Sequence, residues 1–126
     1  NENKKGFIDK KGQIVIPPQF WGALSFHEGL ALVIPDDGPS GYIDKKGNIV
    51  IKPQFYSAGD FSEGFAAVSI NPSSHGFINK SGNFIISPQF SFANSFKNGL
   101  AQVNLNTEVE KTIFIDKAGN FIEPKE

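Results

Sequence analysis

Short apolar runs alternate with polar turns along the whole chain, and the alternation itself repeats. Gly6-Phe7-Ile8 is followed by Asp9-Lys10-Lys11-Gly12 and then by Ile14-Val15-Ile16. The same arrangement returns at Gly41, at Gly76 and at Ile113, in steps of 35, 35 and 37 residues. Each short pair of runs, rich in Phe, Ile and Val, predicts two paired strands. Asp9, Asp44, Asn79 and Asp116 each precede a Gly by three residues. That spacing predicts a type I turn closed by a left-handed Gly, with the Asp or Asn oxygen accepting from the turn amides.

Two further blocks follow each hairpin in fixed order. Pro18-Gln19-Phe20 recurs as Pro53-Gln54-Phe55 and Pro88-Gln89-Phe90, and only Pro124 is left of it at the C-terminal end. Prolines 17, 18, 53, 88 and 124 are expected to end the second strand, because proline donates nothing to a sheet ladder. The segment from Phe20 to Gly29 has neither a period of two nor a helical period and predicts a crossing loop with one short helical turn. Leu30–Ile34, Phe65–Ile70 and Leu100–Leu105 then predict a third strand.

The third strand is apolar on both faces: Leu30, Leu32 and Ile34 project one way, Ala31 and Val33 the other. Burial on both faces implies a neighbour on each side, so successive repeats should stack. Ala31, Ala66 and Ala101 are small where the next layer approaches. The chain opens on a hairpin without a third strand and closes on a hairpin without one. The packing unit is therefore third strand plus next hairpin, spanning Leu30–Lys52, Phe65–Ser87 and Leu100–Glu123.

The predicted architecture is all-β, a repeat array of three-stranded antiparallel units, each a β-hairpin plus a third strand, in an open solenoid-like stack. A short propeller-like arc is the alternative. One domain covers 1–126, with repeats 6–40, 41–75 and 76–112 and a half repeat 113–126. The longer third step falls in the polar connector Thr107–Thr112, where added length costs little.

Composition supports a folded chain and narrows its chemistry. Thirteen Phe among 126 residues, with 39% apolar residues, allow a core of modest size. Twelve basic and 13 acidic residues are interleaved, giving a net charge of −1 and no basic field for nucleic acid. No apolar run approaches the roughly 20 residues of a membrane-spanning helix. Cysteine is absent, which removes disulfides and thiolate chemistry. The first residue is Asn1 and not Met, which predicts a mature or trimmed form whose upstream sequence supplied the first hairpin's missing strand or a cap.

Gly-Phe/Tyr-Ile-Asp-Lys-x-Gly, Ile-x-Pro-Gln-Phe and Ala-x-x-Phe-x-x-Gly-x-Ala-x-Val, in that order from Lys5 to Pro124, resemble the WG repeat of bacterial proteins, also called the KWG repeat. The resemblance implies an all-β repeat array and brings no catalytic residues. The Trp that precedes Gly in the repeat's name is replaced by Lys5, Ser40, His75 and Thr112, and Ile113 stands in place of the last Gly.

Chemistry must then lie where the copies differ. The turn carboxylates are structural, since Asn79 serves as well as Asp. Asp36 and Asp37 sit in a turn, and the Asn79-Lys80-Ser81 sequon lies in the third hairpin loop. His27 and His75 are the two histidines, at different repeat positions, and a zinc site needs three or four ligands. No Gly-x-Ser-x-Gly spacing and no clustered phosphate-binding Gly occur. The expectation is no enzyme, no cofactor and no metal. Trp21, Tyr56 and Phe92 each place a ring after the Gln-Phe pair, in what stacking would make a row. They are the candidate ligand contacts, with His27 and His75 beside them. The reading is a non-catalytic module for protein or peptide binding or scaffolding, with a cell-wall or glycan-binding module using the aromatic row, or a rigid spacer, as alternatives. The location is left open by the sequence, with a leaning to a bacterial secreted or cell-envelope protein.

Overall fold

The computed structural model describes residues 3–107 and 111–122. The strands are β1 (Lys5–Ile8), β2 (Ile14–Phe20), β3 (Gly22–His27), β4 (Leu30–Ile34), β5 (Ser40–Ile43), β6 (Ile49–Phe55) and β7 (Ser57–Ala58). They continue as β8 (Ala66–Asn71), β9 (Ser74–Ile78), β10 (Phe84–Ala93), β11 (Leu100–Leu105), β12 (Lys111–Asp116) and β13 (Phe121–Ile122). β1 and β2 form a two-stranded sheet, β3-β4-β5-β6 a four-stranded one, and β7 to β13 one continuous sheet in chain order. All pairings are antiparallel.

The hairpin turns follow from the Asp-to-Gly spacing. Asp9 Oδ1 accepts from the amides of Lys11 and Gln13 at 2.9 Å each, and Gly12 has φ of 83°. Asp44, Asn79 and Asp116 repeat both hydrogen bonds at 2.9 to 3.0 Å. The third strand pairs with the next hairpin in one register: Ala31 opposes Ile43, Ala66 opposes Ile78 and Ala101 opposes Ile115. The unit predicted to end at Glu123 is described as far as Ile122, and Pro124 and part of the Thr107–Thr112 connector lie outside the described residues.

A fourth strand joins each unit. The segment predicted as a crossing loop with a helical turn is instead the strand β3, which pairs with β4. Its register slips between Ala23, opposite Val33, and Phe26, opposite Ala31. That bulge puts one extra residue in β3 and destroys the period of two that would mark it as a strand. Glu28 (φ 54°) and Gly29 (φ 86°) close the hairpin. Glu63-Gly64 and Asn98-Gly99 have the same left-handed pair, the signature of a two-residue type I′ turn.

The prolines also behave differently from the expectation that they end a strand. Pro17 and Pro18, Pro53, and Pro88 lie inside β2, β6 and β10. The register jumps there: Phe7 opposes Ile16 but Lys5 opposes Phe20, and Tyr42 opposes Ile51 but Ser40 opposes Phe55. Two extra residues bulge out at the proline, which has no amide to leave unpaired. The bulge folds over the opposing Gly. A Cβ on Gly6, Gly41 or Gly76 would stand 2.5, 2.6 and 2.5 Å from the carbonyl oxygens of Ile16, Ile51 and Ile86. Glycine and proline in the repeat are therefore one structural device. In the last hairpin Ile113 holds the Gly position, buried against Val103, with no described bulge opposite it.

The core consists of layers between successive units. Ile16 and Phe20 of the first hairpin meet Ala31, Val33 and Ile43. Leu32, Tyr42, Ile51 and Phe55 meet Phe61, Ala66, Val68 and Ile78. Phe77, Ile86 and Phe90 meet Phe96, Ala101, Val103 and Ile115. Ala31 and Leu32 thus serve different layers, as the two-faced apolar pattern requires. Each fully buried Phe or Ile contributes roughly 1.5–3 kcal/mol. Tyr42, which stands where the other copies have Phe, reaches across its layer and donates its hydroxyl to the Gly59 carbonyl at 2.6 Å. The layers run in series, and among the described residues no core layer joins the first hairpin to the last sheet.

Gly41→Ala should destabilise the protein by about 2–3 kcal/mol, because backbone must move to admit the methyl. Gly38→Ala, with open space at its Cβ, should stay within about 0.5 kcal/mol of the parent. Urea unfolding of the two variants checks the pair.

Candidate functional site

The predicted aromatic contacts are all on the surface: Trp21 is 52% exposed, Tyr56 62% and Phe92 47%. Trp21 and Tyr56 each stand between the last strand of one sheet and the first of the next. Their amides donate to the carbonyls of Pro35 (3.2 Å) and Ser69 (2.9 Å). Ser91 holds that position in the third copy, inside the unbroken strand β10. Phe92 is one residue further on, which turns its ring to the other face of the strand. There it packs against His75 in a tilted arrangement, with ring centroids 5.7 Å apart. The structure thus brings Phe92 and His75 together and places Trp21 and Tyr56 at a different repeat position.

The two histidines are far apart in role. His27, at the end of β3, lies 3.4 Å from the Asp60 carboxylate of the following unit. His75 buries its Nδ1, which has no hydrogen-bond partner among the described residues. Burial lowers the His75 pKa below the usual imidazole value, with the Phe90 carbonyl opposing. Among the described residues no group of three or more His, Asp or Glu side chains is placed to hold a metal ion.

A groove opens between successive units beside the position before each glycine. Gly22, Leu24, Leu32, Ser40 and Tyr56 line one of about 420 Å³. Ser57, Ala67, His75, Phe92 and Asn94 line its equivalent one repeat later, of about 260 Å³. Ser40 and His75 occupy the same repeat position, and the imidazole with its neighbouring Phe takes up space that the serine leaves open.

Sequence reasoning missed a polar ladder built from the type I′ turns. Glu28 accepts from the amides of Glu63 (2.7 Å) and Gly64 (2.9 Å) and lies 3.5 Å from Lys80 Nζ. Glu63 accepts from the amides of Asn98 and Gly99 (2.9 Å for the latter) and lies 3.6 Å from Lys117 Nζ. Each Glu therefore crosses one interface to hold the turn of the next unit. Desolvation raises the Glu28 pKa, but the Gly64 and Glu63 amides and Lys80 outweigh it and hold the carboxyl below its usual 4.5. The Gly99 amide, with Asn98 and Lys117, lowers Glu63 likewise against some desolvation. The signal was in the sequence: Glu28-Gly29, Glu63-Gly64 and Asn98-Gly99 recur at the repeat spacing.

A second missed feature is apolar. Ile14 and Val15, Ile49 and Val50, Phe84 and Ile85, and Phe121 and Ile122 are 65, 52, 53, 44, 39, 45, 54 and 39% exposed. They recur at the same two positions of four successive hairpins, on the strand that ends each unit. Three consecutive apolar residues, as in Ile14-Val15-Ile16, cannot all face the core of a strand that alternates, and only Ile16, Ile51 and Ile86 are buried.

Two-faced antiparallel sheets stacked in series, clasped by Gly-Pro bulges and by a turn ladder, define a β repeat array. The chain belongs to the WG containing repeat family, whose model matches residues 6–34, 41–71 and 76–106. No curated protein and no solved structure matches it. Ser40 and His75 stand where that family's name places a Trp, and each lines a groove between units.

The depressed carboxylates fix a sign for pH dependence. Glu28 and Glu63 have folded pKa values below the usual 4.5, so their contribution is complete above that value and is lost as pH falls through the folded values. Glu63→Gln should lower the urea midpoint at pH 7, and the gap to the parent should narrow as pH falls below 4.5.

Proposed function

We propose that this array is a non-catalytic module that recognises a protein or peptide along the outer edge of its stack. One observation carries the reading: the paired apolar side chains from Ile14 and Val15 to Phe121 and Ile122 repeat on four successive hairpins and stay in solvent. Apolar side chains left exposed at the same positions of successive hairpins are candidate contacts for a partner. The strands that carry these residues also end their units, so an extended segment has backbone groups to pair with as well as side chains to cover. Prolines in the same strands limit edge pairing to a few residues and so protect the array from pairing with itself. A partner is read by the apolar pairs, at one pair per hairpin.

Selection of displayed peptides on the intact protein tests this. Enriched peptides should bind the Val50→Lys/Ile85→Lys variant at least about tenfold more weakly, with the circular dichroism spectrum unchanged, and should bind Trp21→Ala as they bind the parent. Equal binding to the lysine variant would overturn the reading. Retention on cell-wall polysaccharide that is lost in Trp21→Ala or Tyr56→Ala would favour a glycan ligand in its place.

A further inference from the structure

The third type I′ turn carries a chemistry that the other two lack. Glu28-Gly29, Glu63-Gly64 and Asn98-Gly99 share one conformation, but only the third is an Asn-Gly pair, and it is the one such pair in the sequence. An Asn followed by Gly is open to attack of the next backbone nitrogen on its own side-chain carbonyl, because Gly has no side chain to block the approach. Asn98 is exposed, and a groove of about 350 Å³ lined by Lys97, Asn98, Leu100 and Phe114 brings solvent to it. The attacking nitrogen is held, however. The Gly99 amide donates to Glu63 Oε1 at 2.9 Å, the Asn98 amide donates to the other oxygen of the same carboxylate, and Lys117 Nζ lies 3.6 Å from Oε1.

We propose that Asn98 is a spontaneous deamidation site that the Glu63 rung keeps dormant while the two turns are docked. In the reaction the Gly99 amide loses its proton and its nitrogen bonds to Asn98 Cγ. The Cγ–Nδ2 bond breaks, ammonia leaves, and water opens the cyclic imide to aspartate or isoaspartate at this position. Glu63 opposes the first step twice. Its negative charge beside the amide proton disfavours the amide anion. Its hydrogen bonds to two successive amides also fix the turn against the rotation that would carry the nitrogen onto Cγ. The Gly99 and Asn98 amides and Lys117 hold the Glu63 carboxyl below its usual pKa, so the rung stays charged across the neutral and alkaline range in which amide deprotonation matters. Opening of this one interface releases the site, and the product makes the opening permanent. Isoaspartate inserts a backbone carbon between the two amides that Glu63 grips. The inference is independent of the outer apolar edge and of any partner bound there.

Incubation of the full chain at mildly alkaline pH, with Asn98 followed by peptide mapping and mass spectrometry, tests this. Asn98 should convert readily in the denatured parent and at least about tenfold more slowly in the folded parent, the size expected of one charge-assisted hydrogen bond. Glu63→Ala should bring the folded rate close to the denatured one. Glu28→Ala removes the equivalent rung at the neighbouring interface and so reports any general loss of stability; there Asn98 should convert as slowly as in the folded parent. Equal rates in the folded and denatured parent would overturn the proposal, as would equal rates in the Glu63→Ala and Glu28→Ala proteins.

Discussion

Burial of the inner strands on both faces is the constraint from which the rest follows. β4 sends Ala31 and Val33 into one core layer and Leu32 into the next, and β8 divides Ala67 from Ala66 and Val68 in the same way. A single repeat isolated from its neighbours would expose both layers to water, at a cost that no local turn could offset. Small residues at Ala31, Ala66 and Ala101 follow, because the facing sheet needs room. So do the Gly-Pro clasps, which bend the last strand of each unit while keeping its ladder. The polar ladder of Glu28 and Glu63 then fixes the offset between sheets that apolar packing alone would leave loosely specified, since dispersion and hydrophobic burial are not directional.

The same constraint separates folding from function. Almost every residue shared by the copies is consumed by turns, clasps and layers. What is left over is the rim, where the apolar pairs of successive hairpins repeat and remain partly exposed. Binding would then be a property of the rim of the stack, while its interior acts as scaffold.

How much of this could be read in advance depended on whether a signal was local. The Asp-to-Gly turns were legible in all four copies because their chemistry lies within five residues. The pairing of the third strand with the next hairpin was legible from the two-faced pattern of Leu30 to Ile34. β3 was not, because the bulge between Ala23 and Phe26 erases its alternation. The prolines misled because a general rule about ladders ignores a bulge that removes the need for an amide. Among the site residues, His75 and Phe92 do meet, but Phe92 is one position out of step with Trp21 and Tyr56, and in a strand one position changes the face. Glu28 was passed over because its partners lie 35 residues away, although the Glu-Gly pairs were in view.

Native-state hydrogen exchange tests the central claim most directly. If the inner strands are held by neighbours on both of their faces, amide protection should peak in β4, β5, β8 and β9 and fall towards β1, β2 and β13. Protection in β1 and β2 equal to that in β8 and β9 would contradict it, because the first hairpin has a layer on one face only.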